Sequence, residues 1–126
     1  MSPTPLVLGL IPDLLTSVRV ESAVQRVGGR LRIVENDLEF VQELSSNAPV
    51  LAILDLGHHW MDVMFLVDAC RKARVPVLAF GPHADLGRQR DARQAGAEFV
   101  YPRSKFMADT TGCLRDALAG SHAQLA

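Results

Sequence analysis

The sequence predicts an α/β fold built from five strand–helix repeats. Five short apolar runs are spread along the chain, and longer segments with apolar residues three and four apart lie between them. The runs are continuous, not alternating, which marks strands covered on both faces, as in a parallel sheet. The length of 126 residues suits one domain. A chain of that size buries enough surface to fold without disulfides or a structural metal.

The first run is Leu6 to Ile11. The helix after it carries Leu14, Leu15, Val18, Val24 and Val27 at helical spacing, and Gly28-Gly29 stops it. The second run, Leu31 to Val34, is more mixed. Asp37 is the expected cap of a short helix turning Leu38, Val41 and Leu44 inward. The third run is Val50 to Leu54. Asp62 or a neighbour opens the next helix through Val63, Leu66, Val67 and Cys70, with Arg71, Lys72 and Arg74 near its C-terminal end, where cations suit the dipole. After the fourth run, Val75 to Phe80, Asp85 opens a helix that ends at Gly96. After the fifth, Phe99 to Tyr101, Ser104 opens a helix through Met107, Leu114 and Leu118. Right-handed crossovers then give a flavodoxin-like (βα)5 three-layer sandwich with parallel strand order 2-1-3-4-5. The domain is expected over residues 1–119, with 120–126 a frayed tail.

Composition excludes several classes of function. Thirteen basic and fourteen acidic residues leave a net charge of −1. The two signs are interspersed, so no footprint for nucleic acid is expected. The apolar stretch Pro5 to Pro12 is far too short to span a membrane and has no basic flank, so the chain reads as soluble and cytoplasmic. Cys70 and Cys113 lie far apart, without metal-ligand spacing, and read as small buried hydrophobes. Gly28-Gly29 follows a helix and precedes a strand, so it is not a phosphate loop. Neither a catalytic triad nor a nucleophile elbow has sequence support, and no enzymatic activity is expected.

In such a sheet, ligands gather outside the carboxyl ends of the strands at the switch point between the first and third. That brings together the loops Ile11-Pro12-Asp13, Asp55 to Asp62 and Gly81 to Asp85, flanked by Pro102-Arg103-Ser104. Asp55, directly after a buried run, is expected to be exposed at the sheet edge, as nucleophile, metal ligand or turn cap.

The stretch Leu51-Ala-Ile-Leu-Asp55-Leu-Gly-His-His-Trp-Met-Asp62 resembles the receiver domains of two-component response regulators. It has their strand, their phosphoacceptor aspartate and their Met-Asp six and seven residues on. Val75-Pro-Val-Leu-Ala-Phe-Gly81 is similar to the fourth receiver strand. Gln94-Ala-Gly-Ala-Glu-Phe-Val-Tyr-Pro-Arg-Ser104 looks like the approach to the fifth strand and its lysine. The resemblance covers nearly the whole chain. It makes Asp55 the phosphoacceptor equivalent, with Asp13, Gly81 and Arg103 at receiver-pocket positions.

The departures point away from phosphotransfer. The family holds Mg²⁺ with an acidic pair after the first strand, where this chain has Leu10, Ile11 and Pro12, with only Asp13 near. Loss of two carboxylates cripples a site for a hard dication. Gly81 stands at the family's Ser/Thr, Arg103 at its lysine, Val100 at its aromatic switch and Val63 at its glycine. The expected state is therefore a stand-alone pseudo-receiver that signals by protein contact. It has no catalytic residues and no cofactor, and Asp55 pairs with Arg103. The partner is a kinase, a regulator or a second copy. The strand-five face around Val100 and Tyr101 and the lone Trp60 are the candidate switch and interface residues. The alternative is a working phosphoacceptor receiver using Asp55 and Mg²⁺. A weaker third reading is a small-molecule or metal-binding protein of the same fold, with His58, His59 and His83 near Asp55; ordinary loop histidines are the expectation.

Overall fold

The structure, a computed structural model, describes residues 4–125 and the side chains of residues 4–120. The elements run β1 (Leu6–Leu10), α1 (Leu14–Arg26), β2 (Arg30–Val34), α2 (Asp37–Asn47), β3 (Leu51–Asp55), α3 (Val63–Lys72), β4 (Val77–Gly81), α4 (Leu86–Ala95), β5 (Phe99–Pro102), α5 (Arg103–Ala108) and α6 (Thr110–Leu125). The five strands form one parallel sheet in the order β2-β1-β3-β4-β5. β1, β3 and β4 are buried along their whole length, as continuous apolar runs require.

Alternate strand residues feed two cores. Leu8, Leu10, Leu54 and Ala79 pack with Phe40, Leu66 and Val67 on the α2–α3–α4 side. Val7, Ile53, Leu78 and Phe80 pack with Val24, Phe106 and Leu114 on the α1–α5–α6 side. Three of the helices that follow strands start on aspartate caps. Asp13, Asp62 and Asp85 accept the backbone N–H of Thr16, Phe65 and Arg88 at 2.9, 3.1 and 3.2 Å.

Several local expectations are corrected. Leu14, Leu15 and Val18 do not face the sheet; they are 73%, 81% and 57% exposed. The inward stripe of α1 is Thr16, Val20, Ala23 and Val24, whose smaller side chains allow close approach to the strands. The cap of α2 is Asn36, whose Oδ1 accepts from the Glu39 N–H at 2.9 Å, and Asp37 is the first helical residue. Leu38 is exposed. The last helix is two. Ser104 lies inside α5, which starts at Arg103, and the chain breaks at Asp109 before resuming as α6. Asp109 Oδ1 accepts from the Gly112 N–H at 3.1 Å, capping α6, and a Cβ at Gly112 would collide with that carboxylate. The backbone of α6 continues as helix to Leu125; the side chains of the tail expected to fray lie outside the described residues.

Cys70 and Cys113 are free and buried. Burial pushes the Cys70 thiol up to about 12 and raises that of Cys113. No helix among the described residues is long and apolar enough to cross a membrane.

Candidate functional site

The site forms where β3 ends. Asp55 is the last residue of that strand, in register with Phe80 of β4. It is 1% exposed, which corrects the expected exposed carboxylate. The reason is local: the Leu56 N–H donates to Phe80 O at 2.8 Å, carrying the ladder one residue past Asp55 and keeping the chain inside. Both carboxylate oxygens are engaged. Oδ1 accepts from the Gly57 N–H at 3.0 Å, a short turn closed by the side chain. Oδ2 lies 3.3 Å from Arg103 Nη1 and 3.5 Å from His58 Nε2.

Arg103 reaches this point from the first turn of α5. Its Nη2 donates to the Thr16 hydroxyl and lies 4.0 Å from Asp13 Oδ2. The guanidinium carbon sits 5.6 Å over the Phe80 ring, a cation–π contact. Thr16 is buried and its hydroxyl also donates to Asp13 Oδ2. Asp13 is therefore α1's cap and the far end of a chain Asp55–Arg103–Thr16–Asp13. The Thr16 hydroxyl, then the Thr16 N–H, hold the Asp13 carboxyl below its ordinary value, with Arg103 adding a smaller pull. One planar cation thus bridges the loops after β1, β3 and β5.

The remaining pocket positions are apolar or backbone. A Cβ on Gly81 would come 3.0 Å from Leu56 Cβ, and Leu56 is fully buried. Leu56 thus fills the space that a side chain at 81 would need. Val100 is half-buried against the α2–α3–α4 core. Tyr101 faces the other core, its ring 6.4 Å from that of Phe106.

No protein-family model matches the chain, and no curated protein matches it in sequence. Solved structures do match. A response-regulator receiver domain protein from Methanospirillum hungatei superposes with a TM-score of 0.82 at 15% identity, over 97% of this chain and 99% of that one. This chain has the receiver-domain fold. The signal receiver domain of an HD domain-containing protein from Pseudomonas fluorescens matches with a TM-score of 0.81 at 17% identity, over 96% and 99% of the two chains. The receiver domain of a sensor histidine kinase from Pseudomonas aeruginosa matches with a TM-score of 0.77 at 16% identity, over 93% and 99%; that structure has a magnesium ion coordinated in its active-site cleft.

On this receiver fold, the residues present do not fit a magnesium ion. Ile11 is buried in the apolar core, neither it nor Pro12 has a ligand atom in its side chain, and the Asp13 and Asp55 carboxylates already face one guanidinium. Among the described residues no group of three or more His, Cys, Asp or Glu could hold a metal. Of the loop histidines, His58 meets Asp55, whereas His59 and His83 are exposed. Trp60 is 50% exposed, its ring 5.9 Å from that of His58. The residues that the sequence reading did not place at the site are Thr16, Leu56, Arg88 and Asp37, the last expected only as a helix cap. Arg88 Nη2 donates to the carbonyls of His58 and Met61, each at 2.9 Å, and Asp37 Oδ2 accepts from the Asp62 N–H at 3.3 Å. No motif flags these four, because each acts through proximity created by the fold.

Proposed function

We propose that this chain is a receiver-like signalling module that works by protein contact. In it Asp55 is a fixed partner of Arg103, not a Mg²⁺-dependent phosphoacceptor. The observation that carries the reading is the seat of the guanidinium, 3.3 Å from Asp55 and 4.0 Å from Asp13. Phosphoryl transfer depends on an in-line approach and on neutralising charge around the transferred group. Here the acceptor carboxylate is 1% exposed, both its oxygens are bonded, and a protein cation supplies its counter-charge. The receiver fold with its aspartate still in register supports the signalling role. The partner is another signalling protein, such as a kinase or regulator, or a second copy of the chain.

The test uses the whole chain with a small phosphodonor and Mg²⁺, followed by intact mass. No phosphoryl adduct is expected. An adduct that disappears in Asp55→Asn would replace this reading with the phosphoacceptor one.

A further inference from the structure

The loop from Asp55 to α3 is gripped at one peptide group. The Met61 carbonyl accepts from Arg88 of α4 at 2.9 Å, while the N–H on the other side of the same Met61–Asp62 peptide donates to Asp37 of α2 at 3.3 Å. A peptide is a rigid plate, so holding its oxygen and its N–H from opposite sides fixes its orientation. Arg88 holds a second point as well, the His58 carbonyl at 2.9 Å. The Met61 N–H closes on that same carbonyl at 3.2 Å, so Arg88 sits at the neck of a tight turn containing His58, His59 and Trp60. His58 in turn places Nε2 3.5 Å from Asp55. Among the described residues, the two buried side-chain polar atoms without a hydrogen-bond partner are Arg88 Nε and Asp37 Oδ1, one on each arm of this grip. Each arm therefore carries a desolvation cost that its bond to the loop must offset.

The hydroxyl position at Gly81 and the aromatic position at Val100 offer no hydrogen-bonding side chain between the site and α4. We propose that Arg88 and Asp37 form that link, making the Met61–Asp62 peptide a relay from Asp55 through His58 to α4 and α2. Any change at Asp55 that shifts His58 moves the turn, and the turn cannot move without dragging or releasing Arg88. Arg88 and Asp37 are thus positioning residues that tie the state of the site to two helices of one surface. The link acts whether Asp55 is permanently paired or chemically modified, so it stands apart from the function proposed above.

Amide hydrogen exchange across Leu86–Ala95 and Asp37–Asn47 tests it. It is measured in the wild type, Asp55→Asn, Arg88→Ala and the double variant, with an Asp37→Ala series in parallel. Asp55→Asn is expected to speed exchange in α4 by about threefold when Arg88 is present, and by under about 1.5-fold when it is Ala. Asp37→Ala, which removes the acceptor of the Asp62 N–H, is expected to remove the response of α2 and leave that of α4. A cycle, unlike a single melt, separates coupling from a loss of packing. Should Arg88→Ala fail to fold, Arg88→Gln, shorter and uncharged, carries the same expectation. An α4 response that persists undiminished without Arg88, or no α4 response to Asp55→Asn with Arg88 intact, overturns the proposal.

Discussion

The two helical layers reach the end of β3 by different means. From the α1–α5–α6 side, Arg103 meets side chains: a carboxylate, a hydroxyl and, more distantly, a second carboxylate. From the α2–α3–α4 side, Arg88 meets only backbone carbonyls. One arginine neutralises charge and the other fixes chain path. An ion pair with one deeply buried member is costly to break from the exposed side, because the buried charge is left behind. A guanidinium on carbonyls leaves neutral groups behind when removed, so its loss costs less and spreads as mobility.

The largest expected effect breaks the charged side. Arg103→Met leaves the carboxylate of Asp55, 1% exposed, without its cation and should cost about 3 kcal/mol. Asp55→Asn leaves the Arg103 side chain, 36% exposed, to water and should cost about 1 kcal/mol. Urea melts at neutral pH check both. Equal losses, or the reverse order, would mean that Arg103 does not compensate a buried charge. Next in size is the apolar floor. Gly81→Ser pushes a Cβ to 3.0 Å from Leu56 and should cost about 1 kcal/mol. Leu56→Gly in the same chain, which removes the Cβ that clashes, should reduce that penalty in a double-mutant cycle, and strictly additive losses would count against the clash.

The smallest effect lies at the outer end of the charged side. The Asp13 carboxyl, held below its ordinary 3.8 chiefly by the Thr16 hydroxyl, binds its proton more weakly folded than unfolded. Its contribution to stability is therefore complete above that ordinary value and is lost as pH falls through the lowered one. A carboxyl NMR titration should find its midpoint below 3.8 and moved upward by Thr16→Val. A midpoint at or above 3.8 in the native chain would remove Thr16 from the network.

Much of the scaffold was legible in the residues. Buried parallel strands need uninterrupted apolar runs, and the aspartates at 62 and 85 have few better uses than capping the helices that follow. The phase of α1 was not legible. Its sequence carries two apolar stripes, and only packing against the sheet chose Val20, Ala23 and Val24 over Leu14, Leu15 and Val18. The break at Asp109 was hidden because the apolar spacing continues across it, and only the close fit of Gly112 under the Asp109 carboxylate reveals it. In the site, Asp55 and Arg103 could be read from their places at strand ends. Thr16 could not, since its bond to Arg103 joins residues 87 apart, and neither could Arg88, whose bond to Met61 spans 27.

The two thiols have a practical consequence. Only the thiolate attacks an alkylating reagent, and burial keeps Cys70 protonated up to about 12 and raises Cys113 in the same sense. At neutral pH both should stay silent towards maleimides while the chain is folded. A cysteine placed on an exposed position such as Met64 or Leu86 would then accept a spin label or dye alone, with the native core left untouched.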